Sequence, residues 1–140
     1  MTPPIFVDTS YVFALFNERD QWHDTAMRLQ KQLSNERHRL ITTEFVLVEV
    51  GDGMSAVTLR ERSASIISGL LTSELVDVVA ASTDLLNRSL DLFSSRKDKS
   101  WGLTDCSSFV VMREHGVTNA LTMDDHFRQA GFNILMHHPA

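Results

Sequence analysis

Four acidic residues stand out by their setting: Asp8, Glu49, Asp105 and Asp124. Asp8 follows the apolar run Ile5-Phe6-Val7, and Asp124 follows Ala120-Leu121-Thr122-Met123. An acid at the end of a short apolar run reads as a carboxylate at the C-terminal end of a buried strand. Glu49 is embedded in Phe45-Val46-Leu47-Val48-Glu49-Val50. An acid in such a run needs a hydrogen-bond partner or a cation if it is buried. Asp105 stands in the first turn of a helix that opens at Thr104 and continues through Phe109-Val110-Val111-Met112, where the helix dipole favours an anion. Taken singly, each acid has a plainer reading. Asp8 and Asp124 suit turns or helix caps, Asp105 a helix start, and Glu49 a solvent-facing position. Gathered together, four hard oxygen donors suit Mg2+ or Mn2+.

The remaining candidates carry less chemistry. Cys106 is the single cysteine, so neither an internal disulfide nor a thiolate zinc cluster is available, and a reducing cytoplasm suits the chain. It reads as a small buried residue, and Ser107 and Ser108 have no pairing that would make a catalytic triad. His137 and His138 form a polar tail with no designed metal site. Arg96, Lys97 and Lys99 form a short basic loop that either meets a phosphate backbone or simply faces solvent. Thr9, Ser10 and Thr104 are placed either to cap helices or to orient a carboxylate.

The elements that must hold the acids alternate. Strands are expected at Ile5–Val7, Leu40–Thr42, Leu75–Val79, Asn119–Thr122 and Phe132–Met136. Between them lie helices after Ser10, after Asp20, after Thr43, over Ala56–Leu71, after Ser82, after Thr104 and, briefly, after Asp124. Trp22, Ala26, Leu29 and Leu33 recur at helical spacing. Val57, Ile66, Ile67, Leu70 and Leu71 are core candidates of the fourth helix, and Leu86, Leu90 and Phe93 share one side of a later one. Gly51-Asp52-Gly53 reads as a break and Gly116 as a helix stop. This alternation predicts an α/β fold, a mostly parallel sheet of about five strands covered by helices on both faces. With 140 residues, 43% of them hydrophobic, and no repeats or long linker, a single domain over 1–140 is expected. No run approaches a membrane span, and the start of the chain lacks a signal-peptide pattern. A net charge of −5 argues against tight non-specific nucleic-acid binding. Four clustered metal-binding acids would account for most of it and leave a nearly neutral body.

Four segments in this order resemble the PIN-domain ribonucleases, most closely the VapC-like toxins of toxin–antitoxin pairs. They are Ile5-Phe6-Val7-Asp8-Thr9-Ser10, Thr43-Glu44-Phe45-Val46-Leu47-Val48-Glu49-Val50, Leu103-Thr104-Asp105-Cys106-Ser107-Ser108-Phe109 and Ala120-Leu121-Thr122-Met123-Asp124-Asp125-His126-Phe127. The resemblance implies a PIN-like three-layer sandwich and hydrolysis of RNA phosphodiester bonds with Mg2+ or Mn2+. The family's acidic quartet falls on Asp8, Glu49, Asp105 and Asp124, with Glu44 and Asp125 as competitors for the second and fourth places. Asp8 and Asp105 are the most direct expected ligands, and the loop of Arg96, Lys97 and Lys99 would steer the RNA. A cognate antitoxin, a homodimer and a cytoplasmic location are implied as well, with Trp22 and Leu29 expected along an antitoxin groove. Two other classes compete with this reading. One is a non-catalytic binding module of the same fold, disfavoured because all four acids are present. The other is an aspartyl-phosphate enzyme, disfavoured because Thr9 and Ser10 follow Asp8 where a second acid belongs.

Overall fold

A computed structural model describes residues 2–137, and His138 and the residues after it lie outside them. The order is β1 (Ile5–Val7), α1 (Thr9–Phe16), α2 (His23–Asn35), β2 (Leu40–Thr43), α3 (Glu44–Gly53), α4 (Arg60–Thr72) and β3 (Val76–Val79). Then come α5 (Thr83–Ser95), α6 (Leu103–Glu114), β4 (Asn119–Leu121), α7 (Asp125–Gln129) and β5 (Asn133–Ile134). The sheet runs β3-β2-β1-β4-β5, and every pairing is parallel. β1 is buried along its whole length, as a central strand covered on both faces must be. β3 is the half-exposed edge strand that its alternating sequence predicts.

Successive strands move outward from β1 in one direction to β3, and β4 returns to the other side of β1. The order therefore reverses between β1 and β4, where open α/β sheets form a crevice at their strand ends. Asp8 follows β1 and Asp124 follows β4 at this point.

Aromatic packing fixes the walls of that crevice. Phe109 of α6 meets Phe127 of α7 edge-on at 5.0 Å, and Phe127 meets Phe6 of β1 at 6.1 Å. All three rings are fully buried. Two helices that carry acids are thus tied through apolar contacts to the central strand. Trp101 closes the stack at 5.0 Å from Phe109, and its Nε1–H donates to Gln129 at 3.0 Å.

Several local expectations change. Gly51-Asp52-Gly53 does not break the chain: α3 continues through Gly53, and the Met54 N–H closes on the Val50 carbonyl at 3.0 Å. Gly53 serves packing instead. A Cβ there would fall 2.2 Å from Phe13 Cζ, so only glycine lets that ring lie against α3. α4 starts at Arg60, because the chain turns through Ala56–Leu59, leaving Val57 89% exposed. Leu71 is exposed as well. Ser82 caps α5 by accepting from the Leu85 N–H, as expected, and Leu86, Leu90 and Phe93 do share one side, which is the outward one, while Leu85 and Ser89 face the core. Trp22 and Leu29 are partly buried and pack against the core. Asp8, rather than Thr9 or Ser10, is the N-cap of α1.

Candidate active site

Asp8 leaves β1 in extended conformation, its N–H bonded to the Leu121 carbonyl of β4 at 3.2 Å. That pairing turns its side chain to the crevice, where only 6% of the residue is exposed. Oδ2 accepts from Thr122 Oγ1 at 2.8 Å and from Ser10 Oγ at 2.9 Å. The Thr122 hydroxyl in turn accepts from the Asp124 N–H at 3.0 Å, so one hydroxyl locks both strand-end acids together. Burial pushes the Asp8 carboxyl up to about 6. The bonds from Thr122 and Ser10 oppose that rise, and the neighbouring charge of Asp105 adds to it.

Asp105 sits in the first turn of α6, where Oδ2 accepts from the Gly102 N–H at 3.1 Å. The same oxygen lies 3.0 Å from His126 Nδ1. A carboxylate only accepts, so Nδ1 carries the proton in this contact. His126 Nδ1 also lies 3.5 Å from Asp124 Oδ1, and Asp124 caps α7 through the His126 N–H at 2.9 Å. Glu49 projects from α3, and its Oε1 accepts from Thr9 Oγ1 at 2.5 Å. Glu49 is exposed, so its helix turns it to the crevice without the burial expected from its apolar neighbours.

Asp8, Glu49, Asp105 and Asp124 line one cleft of about 520 Å3, together with Thr9, Ser10, Phe13 and Asp52. The competing acids stand elsewhere. Glu44 accepts from the Ala81 N–H at 2.7 Å, and Asp125 pairs with Arg128 at 2.6 Å. Arg96, Lys97 and Lys99 are not among the residues lining the cleft. Arg96 makes two bonds to Asp98 and lies over the Trp101 ring at 4.9 Å, and Lys99 stands 3.8 Å from Asp98. The Thr104 carbonyl accepts from Ser107 and Ser108.

Two residues of the site were not singled out from the sequence. His126 follows the strand-end acid by two places, and Asp52 follows Glu49 by three, one helical turn along. Only those spacings signalled them.

The donor set fits a divalent cation. One ligand atom each from Asp105, Asp124 and His126 lie within 4.8 Å of one another, and Asp8 and Glu49 face the same cleft. Five acids around one cleft repel one another and any phosphate, and a cation relieves both repulsions.

The parallel five-stranded sheet and the acids at its switch point define a class. A family model described as PIN domain matches residues 5–133, and the chain belongs to that family. Among curated proteins it is similar to the 23S rRNA-specific endonuclease VapC20 of Mycobacterium tuberculosis, with 32% identity over 130 residues covering 91% of this chain and 95% of the relative. The crystal structure of that organism's VapC20, described as a sarcin-ricin loop cleaving toxin, matches with a TM-score of 0.79 and 31% identity over 91% of this chain and 95% of that one. VapBC2 from Rickettsia felis, bound to a promoter DNA fragment, matches in fold with a TM-score of 0.67 at 14% identity, covering 93% and 96% of the two chains.

Proposed function

We propose that this chain is a VapC-like, metal-dependent endoribonuclease in which Asp8, Glu49, Asp105 and Asp124 hold Mg2+ or Mn2+. The observation that carries the reading is the convergence of these acids from β1, α3, α6 and the end of β4 on one cleft. When bound, the ion supplies charge neutralisation at the scissile phosphate and acidifies a water. Asp8 and Asp105 are the most direct ligands, and Glu49 and Asp124 complete the set. Ser10 and Thr122 hold the Asp8 carboxylate, and Thr9 holds Glu49. His126 orients Asp105 and Asp124 through its Nδ1 side. A non-catalytic module would have no use for four acids kept in this register at a desolvation cost to Asp8.

The finer assignments follow from the same reading. RNA is the substrate, and the similarity to VapC20 makes 23S rRNA the first RNA to offer. The loop of Arg96, Lys97 and Lys99 lies outside the cleft and would meet the strand at a distance. Residues 1–140 act as one nuclease domain in the cytoplasm, held in check by an antitoxin. No described helix is long and apolar enough to cross a membrane. The outward stripe of Leu86, Leu90 and Phe93 supports a homodimer, which light scattering tests.

The deciding experiment is cleavage of 23S rRNA with Mg2+ or Mn2+ by the wild type and by Asp8→Asn. Cutting by the wild type that EDTA abolishes, and none by the folded variant, is the expected result. Equal cutting by both proteins overturns the assignment.

A further inference from the structure

A second cavity adjoins the acid cleft. It measures about 690 Å3 and is walled in part by Phe13, Phe16, Asn17, Gly53, Leu59 and Arg62. Its size falls within the roughly 300–1,000 Å3 of small-ligand sites. Phe13 and Gly53 line both spaces, so the two meet across the Phe13 ring. Hydrolysis by the acids makes no use of this cavity.

The chemistry of its wall is specific. The Arg62 guanidinium lies 5.6 Å from the centre of the Phe16 ring. An aromatic ring and a planar guanidinium are the two kinds of surface on which unstacked bases of single-stranded RNA rest. Asn17 supplies a side-chain amide to the lining; its Oδ1 accepts from the Arg19 N–H at 3.1 Å, and its amide N–H groups are of the kind that donate to a base edge. Arg19 and Arg62 are matched by Glu18 and Asp20, so the lining charges cancel. A phosphate would meet two acids here, and a strongly basic peptide two arginines. A neutral, flat, hydrogen-bonding ligand meets neither penalty.

An RNA strand with a phosphate in the acid cleft must place a flanking base close by. We propose that the Phe13–Phe16–Arg62 cavity takes that base, unpaired and stacked, and so selects which phosphate reaches the acids. This rests on the nuclease reading for the position of the phosphate. Selectivity would then come from a base that can leave its helix or loop, in a protein whose net charge of −5 gives little general affinity for RNA.

The test measures binding without cutting. The Asp8→Asn protein, with Mn2+, is titrated by fluorescence anisotropy with an eight-nucleotide single-stranded RNA and with a ribose-phosphate chain of equal length lacking bases. Stacking of one base predicts a preference of about 5- to 150-fold for the RNA. Phe16→Leu keeps apolar volume without a π-face and should remove most of that preference, leaving binding of the abasic chain unchanged. Arg62→Met, at an exposed position, should remove part of it. Equal binding of the two probes, or full preference retained in both variants, overturns the inference and leaves the cavity to a protein partner. A chain that prefers bases yet cuts no RNA would sink the nuclease and keep the base site. One that cuts RNA without the preference would do the reverse.

Discussion

Thr122 donates its hydroxyl to Asp8 Oδ2 at 2.8 Å, joining two residues 114 positions apart in the chain. The same oxygen accepts the Asp124 N–H at 3.0 Å. One buried hydroxyl therefore sets the spacing of two acids that come from neighbouring strands.

Thr122→Val keeps the branched shape and deletes this link. Asp8 loses a donor and the Asp124 N–H loses its acceptor. A loss of about 1–3 kcal/mol in stability is expected, measured from denaturant midpoints. The Asp8 carboxyl rises further, because the Thr122 bond is the largest influence holding it down. Mn2+ affinity at neutral pH should fall and recover toward alkaline pH. Thr122→Ser should restore both properties; a Ser variant as weak as Val would show that the methyl, not the hydroxyl, matters.

The Asp8 carboxyl, raised from 3.8 to about 6, fixes the sign of a pH effect. Between those values the native chain binds more protons than the unfolded one, so this group's contribution to stability falls as pH rises. Above about 6 the full cost of the buried charge is present. Metal-free Asp8→Asn should then be more stable than the wild type at pH 7.5 by up to about 3 kcal/mol. The gap should close near pH 4, and Mn2+ should stabilise the wild type more than the variant. Thermal unfolding at several pH values checks it, and a gap that widens toward acid would contradict the burial argument.

His126→Ala should lower Mn2+ affinity by about 10- to 100-fold while the fold survives, since His126 orients two of the acids. His126→Asn, which keeps an N–H near the place of Nδ1, should lose less. Isothermal titration gives both numbers. Unchanged affinity in the Ala variant would make His126 a bystander.

Gly53→Ala sets a methyl 2.2 Å from Phe13 Cζ and forces that ring to move. A loss of about 1–3 kcal/mol is expected. Adding Phe13→Leu should recover part of it, because the clash is between these two side chains. Additive losses in the double variant would mean that the ring had already moved aside.

The order of the elements was legible in the residues. Each apolar run ended in a polar or glycine signal, and local periodicity reports local structure. Thr43 and Ser82 cap their helices as their types suggest. The errors fell where a distant contact overrode a local signal. Gly53 reads as a breaker until Phe13 is seen against it. Leu86, Leu90 and Phe93 do share one side of α5, as their spacing predicts, but periodicity alone leaves open which side the sheet covers.

By itself the sequence determined that four acids stand beside apolar segments in an alternating α/β chain. Which acids meet was decided only by the tertiary structure. Glu44 and Glu49 share one helix, five residues apart, and only its packing turns Glu49 to the cleft while Glu44 bonds the Ala81 N–H. The same packing places His126 between Asp105 and Asp124. Hydrophobic periodicity is written in neighbouring residues, whereas the meeting of side chains from four elements depends on strand order and helix rotation, which arise only when the core closes.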